Sequence, residues 1–330
     1  MSPILTICIP TFNRGHYLQE CLNSIISSIS GFEFCIEILI SDNASEDNTI
    51  EIVESFQKNY PLIKLNRNNK NIGGERNFRL LASLAQGKYI WIFGDDDKMS
   101  ATAIPRVFEN IHAGFDLTVC NYSIWDKQFS VLKKQNGLSA RQDQIFYDSD
   151  KLMQFFGLHL GYISSIVIKK ALFLKLPTEE YEAYVPYGFP FLFAVYNGLA
   201  NEASKSGFIA EPLFCNRGDN SGGYDWYKFF VWGSSLIFDE LQHKGYSKSA
   251  VRAAKLQVLR DFVLPTAFGL RQRMNDQNKN KVRGLLFTHY KTYWQFWVFC
   301  VPRSLAPELL IILAKKTREH LRQFGAKSQL

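Results

Sequence analysis

The sequence predicts an α/β fold: a Rossmann-like, mostly parallel sheet flanked by helices, with a helical appendage at the C-terminal end. Three observations carry this. Through residues 1–100 short apolar runs alternate with helix-length amphipathic stretches, the pattern of βαβ units. From residue 226 onward the periodicity is helical, punctuated by Pro265, Pro302 and Pro307. The chain has 330 residues, enough for one domain of roughly 200–250 residues and a smaller appendage. The division falls after residue 225, with the α/β part split into halves at 1–100 and 101–225.

The elements follow in order. Residues 4–9 form a β-branched-rich strand that ends at Pro10. Residues 17–29 carry Leu18, Cys21, Leu22, Ile25, Ile26 and Ile29 at the three-and-four spacing of an amphipathic helix. Residues 35–40 are a second strand, 50–56 a second helix, 62–65 a short strand and 78–85 a helix closed by Gly87. Residues 89–93 are an aromatic-rich strand that stops at Gly94. Strands are expected at 117–122 and 162–168, with a loop-rich stretch at 127–148 and turns near 186–190 and 218–223. Ligands of open parallel sheets bind beyond the carboxyl ends of the strands, so Pro10, Asp42 and Asp95 should converge.

Composition narrows the class. The hydrophobic share is 46% and the charged share 21%, ordinary for a soluble globular chain, whereas the aromatic share of 15% is high. Six cysteines are scattered without a C-x-x-C pair, which argues for free thiols in a cytoplasmic protein and against a zinc site. No signal peptide is expected from the opening residues. Residues 1–240 hold 21 Lys+Arg against 27 Asp+Glu, and residues 241–330 hold 17 against 4. A body of net charge −6 thus carries a tail of +13, which suggests an anionic partner for the tail or a solvated helical surface.

Four motifs carry chemistry. Asp95, Asp96 and Asp97 follow a buried strand, a concentration of like charge that suits a hard cation such as Mg2+ or Mn2+; an exposed acidic turn is the alternative. Asp42 and Asn43 end the second strand, followed by Ser45, Glu46, Asp47 and Thr49, which suit either a nucleobase edge or helix caps. Asn71, Ile72, Gly73 and Gly74 precede a helix bearing Arg76, Asn77 and Arg79, so backbone and arginines can face an anion, or the segment is a plain turn. Arg217, Gly218, Asp219 and Asn220 read as a turn whose arginine could close over a diphosphate.

Together the segments ICIPTFNR at 7–14, SDNASEDNT at 41–49, NIGGERNF at 71–78 and WIFGDDD at 91–97 resemble family 2 glycosyltransferases of the GT-A fold over roughly residues 3–225. SDNAS, RNF, WIFG, YISSIVIKK at 162–170 and RGDN at 217–220 resemble more narrowly the abequosyltransferase-like branch, whose members add 3,6-dideoxyhexoses from CDP-sugars to lipid-linked O-antigen intermediates. The resemblance implies a nucleotide-binding half at 1–100 and an acceptor half at 101–225. It implies that Pro10, Thr11 and Arg14 flank the nucleotide, that Asp42 contacts the pyrimidine with Asn43, Asn71 and Gly73 nearby, and that Arg76 lies near the base or diphosphate. Asp96 then meets ribose or metal, and Asp97 is the principal metal ligand with Asp95 in support. The family pattern D-x-D-D puts Gly94 where its first Asp belongs, whereas D-x-D takes Asp95 and Asp97. Both registers keep Asp97.

Inverting members carry an acidic pair that opens a helix after the strand at 162–168, but residues 186–191 hold no acid. Either Glu180, Glu182 or Asp219 supplies the base, or the reaction retains configuration; Asp97, Arg217 and Asp219 are the catalytic candidates. The reaction implied is transfer from a CDP-dideoxyhexose to a polyprenyl-linked saccharide, with a UDP- or dTDP-hexose transferase as the alternative. A nucleotidyltransferase should instead show a Gly-rich basic loop where Thr11-Phe12-Asn13-Arg14 stands. A nucleic-acid partner rests only on the tail's charge and is not expected. Tyr290, Tyr293, Trp294, Phe296, Trp297 and Phe299 cluster beside Lys291 and Arg303, with Lys315, Lys316, Arg318 and Arg322 beyond. This suits a peripheral contact with the inner face of the cytoplasmic membrane, or packing on the catalytic domain or a second copy of the chain.

Overall fold

The computed structural model describes residues 2–201, 203–218, 228–266 and 276–302. The first half alternates as its apolar runs predict: β1 (Leu5–Thr11), α1 (Gly15–Ser28), β2 (Ile36–Asp42), α2 (Thr49–Gln57), β3 (Ile63–Arg67), α3 (Gly74–Leu84) and β4 (Tyr89–Ile92). These strands pair in parallel, with Thr11 of β1 opposite Asp42 of β2. Then come β5 (Lys98–Met99), α4 (Ala103–His112), β6 (Leu117–Trp125), β7 (Leu132–Lys134) and β8 (Gln144–Phe146). The order continues with α5 (Ser149–Phe156), β9 (Ile166–Lys169), α6 (Lys170–Phe173), α7 (Thr178–Tyr184), α8 (Pro190–Leu199) and β10 (Ser206–Arg217).

The ten strands of the described residues join one sheet in the order β3-β2-β1-β4-β9-β6-β10-β5, with β7 on β6 and β8 on β10. The order reverses between β1 and β4, which opens a crevice beyond their carboxyl ends. From β4 onward the sheet is mixed: β9 runs antiparallel to β4 and β6, whereas β10 runs parallel to β6.

Alternation along the strands divides the core between the two faces. Ile7, Ile9, Tyr89 and Trp91 turn toward α1 and α4, where Leu18, Ile25, Val107 and Phe108 are buried. Cys8, Ile90 and Ile92 turn toward α3, α5 and α8. All ten residues of α8 are buried, as a helix enclosed on every side requires. The helices after residue 228 share this second cluster: α9 (Ser234–His243), α10 (Lys248–Val258) and α11 (Asp276–Tyr290) contribute Phe238, Leu241, Ala254, Val258, Leu286 and Tyr290.

Several expected boundaries move. The strand expected at 162–168 opens as a tight turn, Ile163–Ser165, and only Ile166–Lys169 pairs. Pro265 does not break its helix, because a wider π turn at Leu259–Val263 precedes it and the helical run continues through Leu264–Thr266. Such a turn relieves the clash of the proline ring with the preceding turn. The residues expected to form loops at 127–148 include β7 and β8, too short and too exposed to show a two-residue period. Cys8, Cys21, Cys35, Cys120 and Cys215 are free thiols. Asp219, Asn220, Pro307 and the basic cluster of residues 303–330 lie outside the described residues.

Candidate active site

The crevice at the switch point gathers the first motif with the acidic triplet. Thr11, last residue of β1, donates its hydroxyl to Asp95 Oδ2 at 2.8 Å. Arg14, at the start of α1, reaches Asp95 at 3.1 Å and Asp96 at 3.2 Å. Burial pushes the Asp95 carboxyl up to about 6, against the pull of Arg14. Asp95 is thereby committed to β1 and α1. Pro10, one residue earlier, stands opposite Ser41 of β2.

Asp97 is buried and faces the other way. Its Oδ2 accepts from Tyr162 Oη at 2.7 Å, and its Oδ1 lies 3.3 Å from both Asn216 Nδ2 and the Arg217 N–H. Asn216 also donates to the Tyr162 hydroxyl at 2.5 Å. Desolvation, reinforced by the Asp96 carboxylate, holds Asp97 well above the usual carboxylate range. Ser164 ties this arrangement to β4: its hydroxyl accepts from Gly94 N at 2.9 Å, and its carbonyl accepts from Trp91 Nε1 at 2.8 Å. The YISS segment thus serves the acidic turn through Tyr162 and Ser164, roles visible only in the fold.

Gly94 marks the centre. A Cβ on it would stand 3.2 Å from each of Asp96 Oδ1, Asp97 Oδ2 and Ser164 Oγ, so glycine leaves a cradle lined by three oxygens. Among the described residues, no group of three or more His, Cys, Asp or Glu converges to hold a metal by itself. Asp96 and Asp97 converge at the cradle, whereas Asp95 is diverted to Thr11 and Arg14. Two carboxylates completed by substrate phosphates are a sufficient seat for Mg2+ or Mn2+, and the donor set fits.

Arg217 is not a loop residue. It ends β10 and is buried. Its Nε donates to Asp96 O at 3.0 Å, Nη1 to Lys127 O at 2.6 Å and Nη2 to Glu20 Oε2 at 2.8 Å. The rings of Tyr17 and Phe129 lie 4.6 and 4.2 Å from the guanidinium carbon. In this conformation the arginine braces the acidic turn from behind, with all three nitrogens donating.

The second motif divides between scaffold and pocket. Asp42 is fully buried; both its oxygens accept from Ser45 N, and Arg67 Nε lies 3.6 Å away. Asp47 accepts from Gly15 N at 3.0 Å and from Thr49 N at 3.1 Å, so one carboxylate caps the starts of α1 and α2. Asn43 Oδ1 accepts from Asn68 Nδ2 and Ile72 N, while its Nδ2 donates to Asn71 Oδ1 at 2.8 Å. Asn71 Oδ1 also receives Gly73 N at 2.9 Å. Gly73 has a φ of +86°, open to glycine and strained for other residues. Arg67 and Asn68, which the sequence did not single out, join Asp42, Asn43 and Asn71 at the carboxyl ends of β2 and β3.

Arg76 turns away, pairing with Glu182 of α7 at 2.8 Å. Glu180 pairs with Lys244 at 2.6 Å, so both glutamates weighed as bases are held in ion pairs. The start of α8 is met instead by Glu75 of α3, whose carboxyl stands near the backbone N–H groups of Phe189 and Phe191. Its Oε2 is buried without a hydrogen-bond partner, and burial raises its carboxyl to about 7.

The switch-point crevice, with its oxygen-lined cradle and acidic strand end, lies where ligands of open α/β sheets bind. The pattern of Glycosyl transferase family 2 matches residues 6–176, over half of the chain, and the chain belongs to that family. Abequosyltransferase RfbV of Salmonella typhimurium is 31% identical over 229 residues, 66% of this chain and 67% of that one. The GalNAc(5)-diNAcBac-PP-undecaprenol beta-1,3-glucosyltransferase of Campylobacter jejuni is 31% identical over 54% of this chain and 56% of its own. The crystal structure of S. aureus TarS 1-349 in complex with UDP-GlcNAc superposes with a TM-score of 0.64 at 15% identity, over 86% of this chain and 80% of that one. The shared GT-A-like fold accounts for the position of the crevice.

Proposed function

We propose that this glycosyltransferase moves a 3,6-dideoxyhexose from its CDP donor to a saccharide carried on a polyprenyl diphosphate, in O-antigen or other surface polysaccharide synthesis. The observation that carries the transfer is the cradle of Asp96 Oδ1, Asp97 Oδ2 and Ser164 Oγ around Gly94. Asp96 and Asp97 would hold a Mg2+ or Mn2+ ion there, which would supply charge stabilisation for the departing diphosphate. The chain's own part is orientation. Tyr162 and Asn216 fix the Asp97 carboxylate, while Arg217 and its backbone N–H fix the turn that carries Asp96 and Asp97. Arg14, between Asp95 and Asp96, adds a cation to the turn beside the nucleotide. Pro10 and Thr11 flank the nucleotide, and Asp42, held by Ser45 and Arg67, shapes the base pocket beside Asn43 and Asn71.

The dideoxyhexose is supported by the likeness to the Salmonella abequosyltransferase, and the lipid-linked acceptor by the name of the Campylobacter relative. The acceptor is then met at the inner face of the cytoplasmic membrane, with the C-terminal region in peripheral contact. Engagement of Glu180 by Lys244 and of Glu182 by Arg76 supports transfer with retention, without a base at α8. Calorimetric titration with CDP, UDP, GDP and dTDP in the presence of Mn2+ tests the donor. CDP should bind tightest; tenfold tighter binding of UDP or dTDP would overturn the dideoxyhexose assignment.

A further inference from the structure

The C-terminal helical segment has two chemically different faces. Toward the body, Leu286, Tyr290, Tyr293, Phe296 and Cys300 are buried in the core. On the outer side Phe287, Trp294, Trp297 and Phe299 are exposed by 48, 61, 47 and 41%, with Val298 between them. The exposed rings touch one another: Phe287 meets Trp297 edge-on at 5.8 Å, and Trp294 lies 6.0 Å from Phe299. The indole N–H of Trp297 donates to Lys291 O at 2.8 Å, so its polar edge is satisfied within the chain while part of its ring faces outward. Lys291 Nζ stands 5.7 Å from the Phe287 ring. The sequence holds no acidic residue between Asp276 and Glu308.

We propose that this outer face docks on the surface of an anionic lipid bilayer, with Trp294, Trp297 and Phe299 entering the headgroup boundary. The inference rests on the lipid-linked acceptor and deepens it by naming the surface that meets the membrane. Contiguous exposed apolar patches mark interaction or membrane surfaces, and tryptophan beside lysine suits the bilayer interface. Charge selects the occupant: the ninety residues that contain the patch carry a net +13, which an anionic headgroup layer complements. No helix among the described residues is long and apolar enough to cross a membrane.

The test uses the full chain and sedimented vesicles of phosphatidylglycerol with phosphatidylethanolamine, against vesicles of phosphatidylcholine alone. The wild type should partition at least tenfold more strongly onto the anionic vesicles, and brominated lipid should quench its tryptophan emission. Trp294→Ser combined with Phe299→Ser should lower that partition at least tenfold and leave transfer to a water-soluble saccharide acceptor unchanged. Because Trp297 also packs on Phe287 and Phe296, it is left intact, and circular dichroism verifies the fold. Unchanged partition of the variant, equal binding to neutral vesicles, or absence of quenching overturns the proposal. So does a wild-type dimer, dissociated by the same substitutions, that does not bind vesicles, since a second copy would then be the occupant. Should wild type and variant both lack transfer while vesicle binding behaves as stated, the proposed activity fails and the docking surface stands.

Discussion

Replacing Arg217 with methionine separates a brace from a mobile diphosphate clamp. Methionine preserves the apolar stem but removes the donors that reach Asp96 O and Lys127 O. A charged donor to a buried carbonyl contributes roughly 1.5 kcal/mol, so the two together give about 3 kcal/mol. Glu20 adds little, because its carboxylate is 44% exposed and keeps Lys98 at 2.8 Å. For a domain of this size roughly 2–4 °C is lost per kcal/mol; the melting midpoint should therefore fall by about 6–12 °C, followed by circular dichroism. Arg217→Lys should recover only part of the loss, since an ammonium cannot reach three divergent acceptors as a guanidinium fork does. A midpoint within about 1 °C of wild type, with nucleoside diphosphate affinity tenfold weaker, would refute the brace and restore the clamp.

Tyr162→Phe removes the hydroxyl that donates to Asp97 and accepts from Asn216. It should cost about 2 kcal/mol in urea unfolding and move the acid limb of the pH–rate profile upward, because the lost donor favoured the ionised Asp97 carboxylate; an unmoved limb would argue against that link. Glu75 gives a pH effect of the opposite sign to a salt-bridged carboxylate. Its folded value of about 7 exceeds the ordinary 4.5, so the folded state binds more protons between those limits. Its contribution to stability falls as pH rises through that window and levels off above it, by about 3 kcal/mol at most. Glu75→Gln should flatten this part of the stability–pH curve; an identical slope in both proteins would remove Glu75 as its source.

The parallel half of the fold and its convergence at the switch point were legible because β1 and β2 are apolar runs ending at Thr11 and Asp42, and the apolar β4 leads into the acidic triplet. Arg217 was misplaced for a local reason. Residues 212–215 read as strand-like and Arg217, Gly218, Asp219 and Asn220 as the turn after them, whereas β10 begins at Ser206 and runs on to Arg217, with register irregularities on either side of Pro212. The strands β5, β7 and β8 have two or three residues each, too few to show a period. Asp47 and Asn43 illustrate a different limit. Their types suited either caps or a nucleobase, and only the distances to Gly15, Thr49 and Ile72 reveal the loop contacts that these side chains make. Glu75 at the start of α8 depends on contacts more than a hundred residues apart in the chain, beyond the reach of any local pattern.

The central claim is that Asp97 anchors the leaving diphosphate through a divalent ion, and Asp97→Asn tests it most directly. Asparagine keeps the shape and one oxygen for the Tyr162 hydroxyl but turns an NH2 toward Asn216 and Arg217, so circular dichroism verifies that the variant folds. With Mn2+ and the tightest-binding nucleotide sugar, its donor hydrolysis and sugar transfer should fall by about a hundredfold or more, the loss of several kcal/mol of charge stabilisation. Turnover within threefold of wild type would contradict the assignment.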